Sequence, residues 1–400
     1  MPSGSASPGS AWLSRLRPPH RIAPRLSQAL DISRWAAAAL VTTEHVRGIV
    51  FAGYRQMHGG MNLFAKGVFF VTDFGHQAVI VFFVLSGYLV GGEALQGFQR
   101  GDFDGRAYAV RRAARLYAVY IAALALGGAF DWIGAHHFNS SGLYTHQVHA
   151  QDLPYSIVEH LNPPTLLANL IFCQGLLAGT FGSNAPLWSL SNEAWYYLMF
   201  PLLLGALLAR KGGVRLACLA VLAGAAWFVR GQLLVYSSIW LLGLAPRLLT
   251  GPAFKSFWWP LCMIGMIAAA TRVGLLDNLT ELQQDLLLAL AFALFINSVD
   301  HAAPSAPPRF AGVHRELAGF SYSLYLLHDP FIFLFVVVAW ERFGTGLRMT
   351  EFTGGSFAFF AAALGAFYAF AWSIARLTER NTPALRRWLG RLAGVPERSR

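Results

Sequence analysis

Apolar runs recur along this chain from residue 35 to residue 377 with few charges to interrupt them. They lie at Trp35–Gly53, Ala78–Phe98, Val110–Phe130, Ser191–Ala209, Val214–Val229, Leu233–Ala245, Phe257–Ala270, Leu286–Val299, Leu317–Trp340 and Phe357–Leu377. About 20 apolar residues make one helical crossing of a bilayer. Only 13% of the 400 residues are charged, against about 25% in an ordinary soluble domain, so the chain lacks the polar skin that a water-facing fold needs. A soluble enzyme, a disordered protein, a fibre and a disulfide scaffold are excluded. The expectation is an all-α polytopic membrane protein, with about ten transmembrane helices around a polar intramembrane cavity.

The 31 Lys and Arg exceed the 20 Asp and Glu by 11. In a polytopic protein such an excess first reports topology, because basic residues collect in cytoplasmic loops, and no nucleic-acid-binding motif accompanies it. Ten spans with both ends inside put Arg100 to Arg115, Arg210 to Arg215, Arg309, Arg315 and the basic C-terminal end in the cytoplasm. Counting Thr165–Gly179 as an eleventh span would turn two of these clusters outward. The expected organisation is a disordered cytoplasmic tail over 1–30, one membrane domain over 31–380, and a basic cytoplasmic tail over 381–400. The Pro-rich, acid-free start has no apolar core for a signal peptide. Cys173, Cys218 and Cys262 lie apart in apolar sequence and read as small buried hydrophobes.

An ionisable side chain inside a span costs about 2.5 to 3.5 kcal/mol on insertion scales, so each needs a partner, a wet cavity or a task. They are Glu44, His45, His76, Glu93, Glu193, His328 and Asp329. Arg34 and His45 are eleven residues apart, three helical turns, which sets a fixed cation and an imidazole on nearly one face about 16 Å apart. Glu44 points about 100° away and reads as a packing, capping or catalytic group. Arg111 and Arg115 share a helix face, a pattern that suits phosphate contacts or plain anchoring at the inner surface. Glu193 follows Ser189 and Ser191, so it is either a capping-box residue or a buried partner for an imidazole. Ser321, Tyr325 and His328 share a face ahead of Pro330, where a kink is expected. Five histidines between His136 and His160 lack the spacing of a metal site, and no metal is expected.

These segments together resemble the acyltransferase family 3 membrane proteins. The resemblance is carried by Leu30-Asp31-Ile-Ser-Arg34 with His45 beyond it, Val81-Phe-Phe-Val-Leu-Ser-Gly-Tyr-Leu, Tyr108-x-x-Arg111-Arg112-x-x-Arg115-Leu, Leu187-Trp188-Ser189-Leu-Ser-Asn-Glu193, and Phe320-Ser321-Tyr322-Ser-Leu-Tyr325-Leu-Leu-His328-x-Pro330. It implies an acyl-CoA donor, with acetyl-CoA the expected one, taken from the cytoplasm, and a hydroxyl acceptor on a cell-surface or exported glycan or a related molecule. The implied location is a multi-pass protein of the bacterial inner membrane. Two departures stand out: Ser-Asn-Glu replaces the commoner Ser-Val-Glu, and no appended SGNH hydrolase-like domain follows.

A hydroxyl needs a base near neutral pH to attack a thioester, and an imidazole suits that task. The expected roles are therefore His45 as base or acylated nucleophile and Glu193 as the orienting carboxylate. Arg34, Arg111, Arg112 and Arg115 are expected on the CoA phosphates, with His328, Tyr325, Ser321 and Trp188 lining the substrate cavity. The rival reading is a proton-coupled transporter or exporter, against which stand the absence of an inverted repeat and of paired Gly/Pro-broken helices.

Overall fold

The computed structural model describes residues 17–57, 61–148, 155–302 and 309–396, so most of the expected N-terminal tail and His149 fall outside it. Among the described residues there is no strand, and the protein is all-α. Five segments are long and apolar enough to cross a membrane: Leu63–Arg100, Gly105–His137, Glu281–Asp300, Ser321–Phe343 and Gly354–Leu392.

Helix α1 runs Pro24–Val50, starting ahead of the boundary expected at residue 31. Pro24 explains the early start, because a proline in the first helical turn has its φ already set and needs no N–H there. Helices α2 (Leu63–Val71) and α3 (Gly75–Ser86) follow, and a π-helical turn over Gly87–Gly91 leads into α4 (Gly92–Arg100). Helix α5 (Gly105–His137) is about 50 Å long and is capped by Asp104, whose Oδ1 accepts from the N–H groups of Arg106 (3.0 Å) and Ala107 (3.1 Å).

The stretch at Thr165–Gly179 contains only the eight-residue α6 (Pro163–Leu170), about 12 Å long, which cannot cross a hydrocarbon core of about 30 Å. It is folded down by buried amides. Asn169 Nδ2 donates to Thr165 O (2.8 Å) and Gly179 O (2.9 Å), and Gln174 Nε2 donates to Leu187 O (2.7 Å). Tyr155 stacks on His160 at 3.9 Å and shares a 2.6 Å hydrogen bond with Thr180. Burial raises the Tyr155 phenol above its usual range, which keeps it neutral.

The second half comprises α7 (Leu187–Leu208), α8 (Gly212–Phe228), α9 (Gln232–Leu242), α10 (Ala245–Leu248), α11 (Trp258–Arg272), α12 (Glu281–Asp300) and α13 (Ala311–Ala318). It closes with α14 (Ser321–Phe343), α15 (Gly354–Leu377) and α16 (Thr382–Leu392). The last is a helix where a basic tail was expected. Helix α14 is central, packed on both α1 and α5, while α1 also packs on α3. The C-terminal carbonyls of α1 are met from the loop after α14: Arg348 N donates to Ile49 O (3.0 Å) and Met349 N to Val50 O (2.8 Å).

Small residues in the second span let α9 and α10 approach closely. A Cβ built at Gly91 would stand 2.7 Å from Leu244 Cδ2 and 2.8 Å from Trp240 Cη2, closer than packed atoms come. Gly91→Val should therefore lower stability by about 1–3 kcal/mol in detergent unfolding, whereas Gly224→Val, where a Cβ meets nothing within 4 Å, should change it much less.

Candidate active site

A cavity of about 320 Å³ lies among α1, α3, α5, α7, α14 and α16. Seven of the residues singled out by sequence line it: Arg34, Arg111, Arg112, Arg115, Glu193, Ser321 and Tyr325. Their helices explain the convergence. Arg34 is on α1; the arginine triplet occupies the start of α5; Glu193 faces inward from α7; Ser321 and Tyr325 stand one turn apart on α14. Arg386 of α16 is a further cation in the wall. It was read as part of a basic tail, and nothing in its local sequence separates it from the arginines around it.

The cations are held by carboxylates that leave them facing the cavity. Glu93 accepts from Arg111 Nε (2.7 Å) and Arg112 Nη2 (2.6 Å). Arg115 Nη1 reaches Glu379 (3.2 Å) and lies 4.9 Å from the centre of the Tyr322 ring, and Arg34 reaches Asp31 at 3.4 Å. A concave site with this excess of guanidinium groups suits a polyanion, because arginine offers planar, bidentate donation to phosphate oxygens.

Beyond Tyr325 lies a pair of imidazoles on one carboxylate. His45 Nδ1 is 2.9 Å from Asp329 Oδ1, and since the carboxylate accepts, this nitrogen carries a proton. His328 is fully buried and its Nδ1 donates to Tyr325 O at 2.8 Å; among the described residues its Nε2 has no hydrogen bond and lies 3.4 Å from Asp329 Oδ1. The two rings meet edge to face at 4.7 Å. Tyr325 links this pair to the cavity wall through a 2.8 Å hydrogen bond with Ser189 Oγ. His45, His328 and Asp329 could together hold a metal ion, as could His76, Glu281 and Asp285. The direct His45–Asp329 bond already satisfies the pair as a carboxylate-oriented imidazole.

Glu193 does not take the place expected for it beside an imidazole. Its Oε2 accepts from Tyr197 OH (3.0 Å), whose oxygen is 3.1 Å from Ser86 Oγ, and among the described residues no cation pairs with it. Nor is it a capping residue, since α7 begins at Leu187 with no side-chain cap. The carboxylate on His45 comes instead from Asp329, next in sequence to His328. Trp188 also lies elsewhere: its ring packs against Phe83 (5.9 Å) and Tyr236 (6.0 Å). One residue from Ser189 on a helix is a rotation of about 100°, which carries Trp188 off the cavity face. Glu44 proves to be a cap, accepting the Gly75 N–H at the start of α3.

Pro330 sits inside α14, which continues through it to Phe343. Proline leaves the carbonyl four residues back without its helical donor. Asn184 supplies one, with Nδ2 donating to Leu326 O at 2.9 Å, and so holds the backbone beside His328 and Asp329. Asn184→Ala should cost about 1–3 kcal/mol by stranding that buried carbonyl. In a double-mutant cycle with Pro330→Ala, which restores the helical N–H, the second loss should shrink. Equal losses in both backgrounds would refute this account.

A family model described as an acyltransferase domain matches residues 27–376, and by that match the chain belongs to acyltransferase family 3. No curated protein and no solved structure matches it.

Proposed function

We propose that this multi-pass membrane acyltransferase takes its acyl group, an acetyl group, from acyl-CoA held in the arginine-lined cavity and transfers it to a hydroxyl of an exported or surface glycan. The observation that carries the reading is the juxtaposition of Arg34, Arg111, Arg112, Arg115 and Arg386 around one cavity with the His45–Asp329 pair just past its Tyr325 wall. A nucleotide with several phosphates matches such a wall, and the distance from Arg34 to His45 along α1, about 16 Å, suits an extended thioester arm.

In this reading His45 Nε2 takes the proton from the acceptor hydroxyl as its oxygen attacks the thioester carbonyl carbon. Asp329 holds the ring in the tautomer whose proton sits on Nδ1 and stabilises the imidazolium that forms. The tetrahedral intermediate collapses with cleavage of the carbon–sulfur bond, the CoA thiolate leaves, and the proton returns from His45 to the sulfur. The same geometry serves an acyl-imidazole route, in which Nε2 attacks the carbonyl first and the acceptor then takes the acyl group. Ten spans with both ends in the cytoplasm complete the proposal, since they place the basic clusters, and with them the donor cavity, on the side where acyl-CoA is made. Among the described helices Gln232–Leu242 is only about 17 Å long, so its crossing draws on the continuation into Ala245–Leu248.

Two measurements check the assignments. His45→Ala should fold and bind acetyl-CoA as the parent does while transfer falls at least about a hundredfold; transfer within threefold of the parent would sink the role. Arg34→Gln and Arg386→Gln should each weaken acetyl-CoA binding by about tenfold or more, the loss of one charge-assisted contact. Neither should affect transfer from acetyl-pantetheine, which lacks the nucleotide phosphates.

A further inference from the structure

A second, mostly apolar space of about 750 Å³ opens between α1, α3, α11 and α12. Ile32, Ala36 and Leu40 of α1, Val81 of α3, Ile264 of α11 and Phe292 of α12 form its walls. It lies behind the partition that α1 and α3 make for the arginine cavity. Arg34 and Phe82 face that cavity, whereas their sequence neighbours Ser33 and Val81 face this groove. The two spaces are therefore chemically opposite sides of one helical wall.

Arg25 stands at the end of the groove nearest the basic start of α1. Its guanidinium lies 5.1 Å from the centre of the Phe257 ring, and among the described residues no carboxylate pairs with it. This contrasts with Arg34, Arg111, Arg112 and Arg115, each of which has an acidic partner. From Arg25 to Leu40 the helix advances about 23 Å, more than the roughly 15 Å depth of one leaflet. A cation with no carboxylate partner among the described residues, set at the inner mouth of an apolar groove between spans, fits a lipid phosphate with its chain laid along the groove.

We infer that this groove binds one anionic phospholipid of the cytoplasmic leaflet, its phosphate on Arg25 and an acyl chain between α1 and α11. The chain fills the space that separates α11 from α1 and supports a helix whose main packing partner is α12. This occupant needs no acyl transfer and stands apart from the donor cavity, so the inference survives or fails independently of the reaction.

The test is quantitative mass spectrometry of lipids retained by the full chain purified in mild detergent. Arg25→Gln removes the headgroup contact. Gly265→Phe fills the groove: Gly265 lines it, and a Cβ there meets no atom within 4 Å, so the larger side chain has room to enter. Arg391→Gln on the exposed side of α16 is the charge control. The parent should retain anionic phospholipid enriched at least about fivefold over its share of the membrane. Arg25→Gln should bring that enrichment down to the membrane ratio, Gly265→Phe should abolish retention, and Arg391→Gln should match the parent. Unchanged enrichment in Arg25→Gln, equal loss in Arg391→Gln, or a retained species that is uncharged or a phosphoprenol would each overturn it. Should Gly265→Phe fail to give a folded, monodisperse protein, the Arg25→Gln comparison decides alone.

Discussion

The carboxylate of Asp329, 2% exposed, is the point on which the arrangement turns. A charge inside an apolar medium persists only with a partner, and here the partner comes from another helix: His45 of α1 meets Asp329 of α14 at 2.9 Å. That single bond fixes how far α1 is slid and rotated against α14. Once it is set, Arg34 falls three turns away on the same side, level with Ser321 and Tyr322 in the wall of one cavity. Displacing either helix by a turn would separate the imidazole from its carboxylate and leave two uncompensated groups in place of one satisfied pair.

Other polar groups obey the same rule on a smaller scale. Leu326 O, deprived of its helical donor by Pro330, finds Asn184; the free N–H at Gly75 finds Glu44; buried Asp131 receives both the N–H and the hydroxyl of Ser183 at 2.7 Å. These bonds tie the loop before α7 to α14, which carries His328 and Asp329, and to α5, and they tie the end of α1 to the start of α3. The site is therefore supported from outside the spans as well as from within them.

Much of this was legible in the sequence, for a definite reason. Arg34 with His45, Arg111 with Arg115, and Ser321 with Tyr325 are spacings within single helices, and helical geometry converts such spacings into shared faces without knowledge of neighbours. The choice between Glu193 and Asp329 as partner of His45 is different in kind, because it depends on the relative rotation of α1, α7 and α14, which no single helix encodes. The same holds for Arg386 and Glu379, whose local sequence resembles any basic end of a membrane protein. Hydropathy placed the apolar segments but overstated the regularity of the middle of the chain, where 11- and 15-residue helices stand in for full-length ones. Apolarity alone does not measure helix length, and Gly231, at φ 88°, and Gly243 interrupt the run.

Arg386 brings a consequence for the birth of the protein. The cavity wall joins Arg34 to a residue, Arg386, made about 350 residues later. Chains emerge from the ribosome over tens of seconds at about 5–20 residues per second, and earlier helices pack before later ones exist. Until α16 docks on α5, the arginines gathered from α1 and α5 lack Arg386, and Arg115 lacks Glu379, the carboxylate that balances it. A nascent chain thus carries an incomplete and electrostatically unbalanced pocket over the whole interval between Arg34 and Arg386. Assembly of the pocket therefore waits until α16 has found its place on α5.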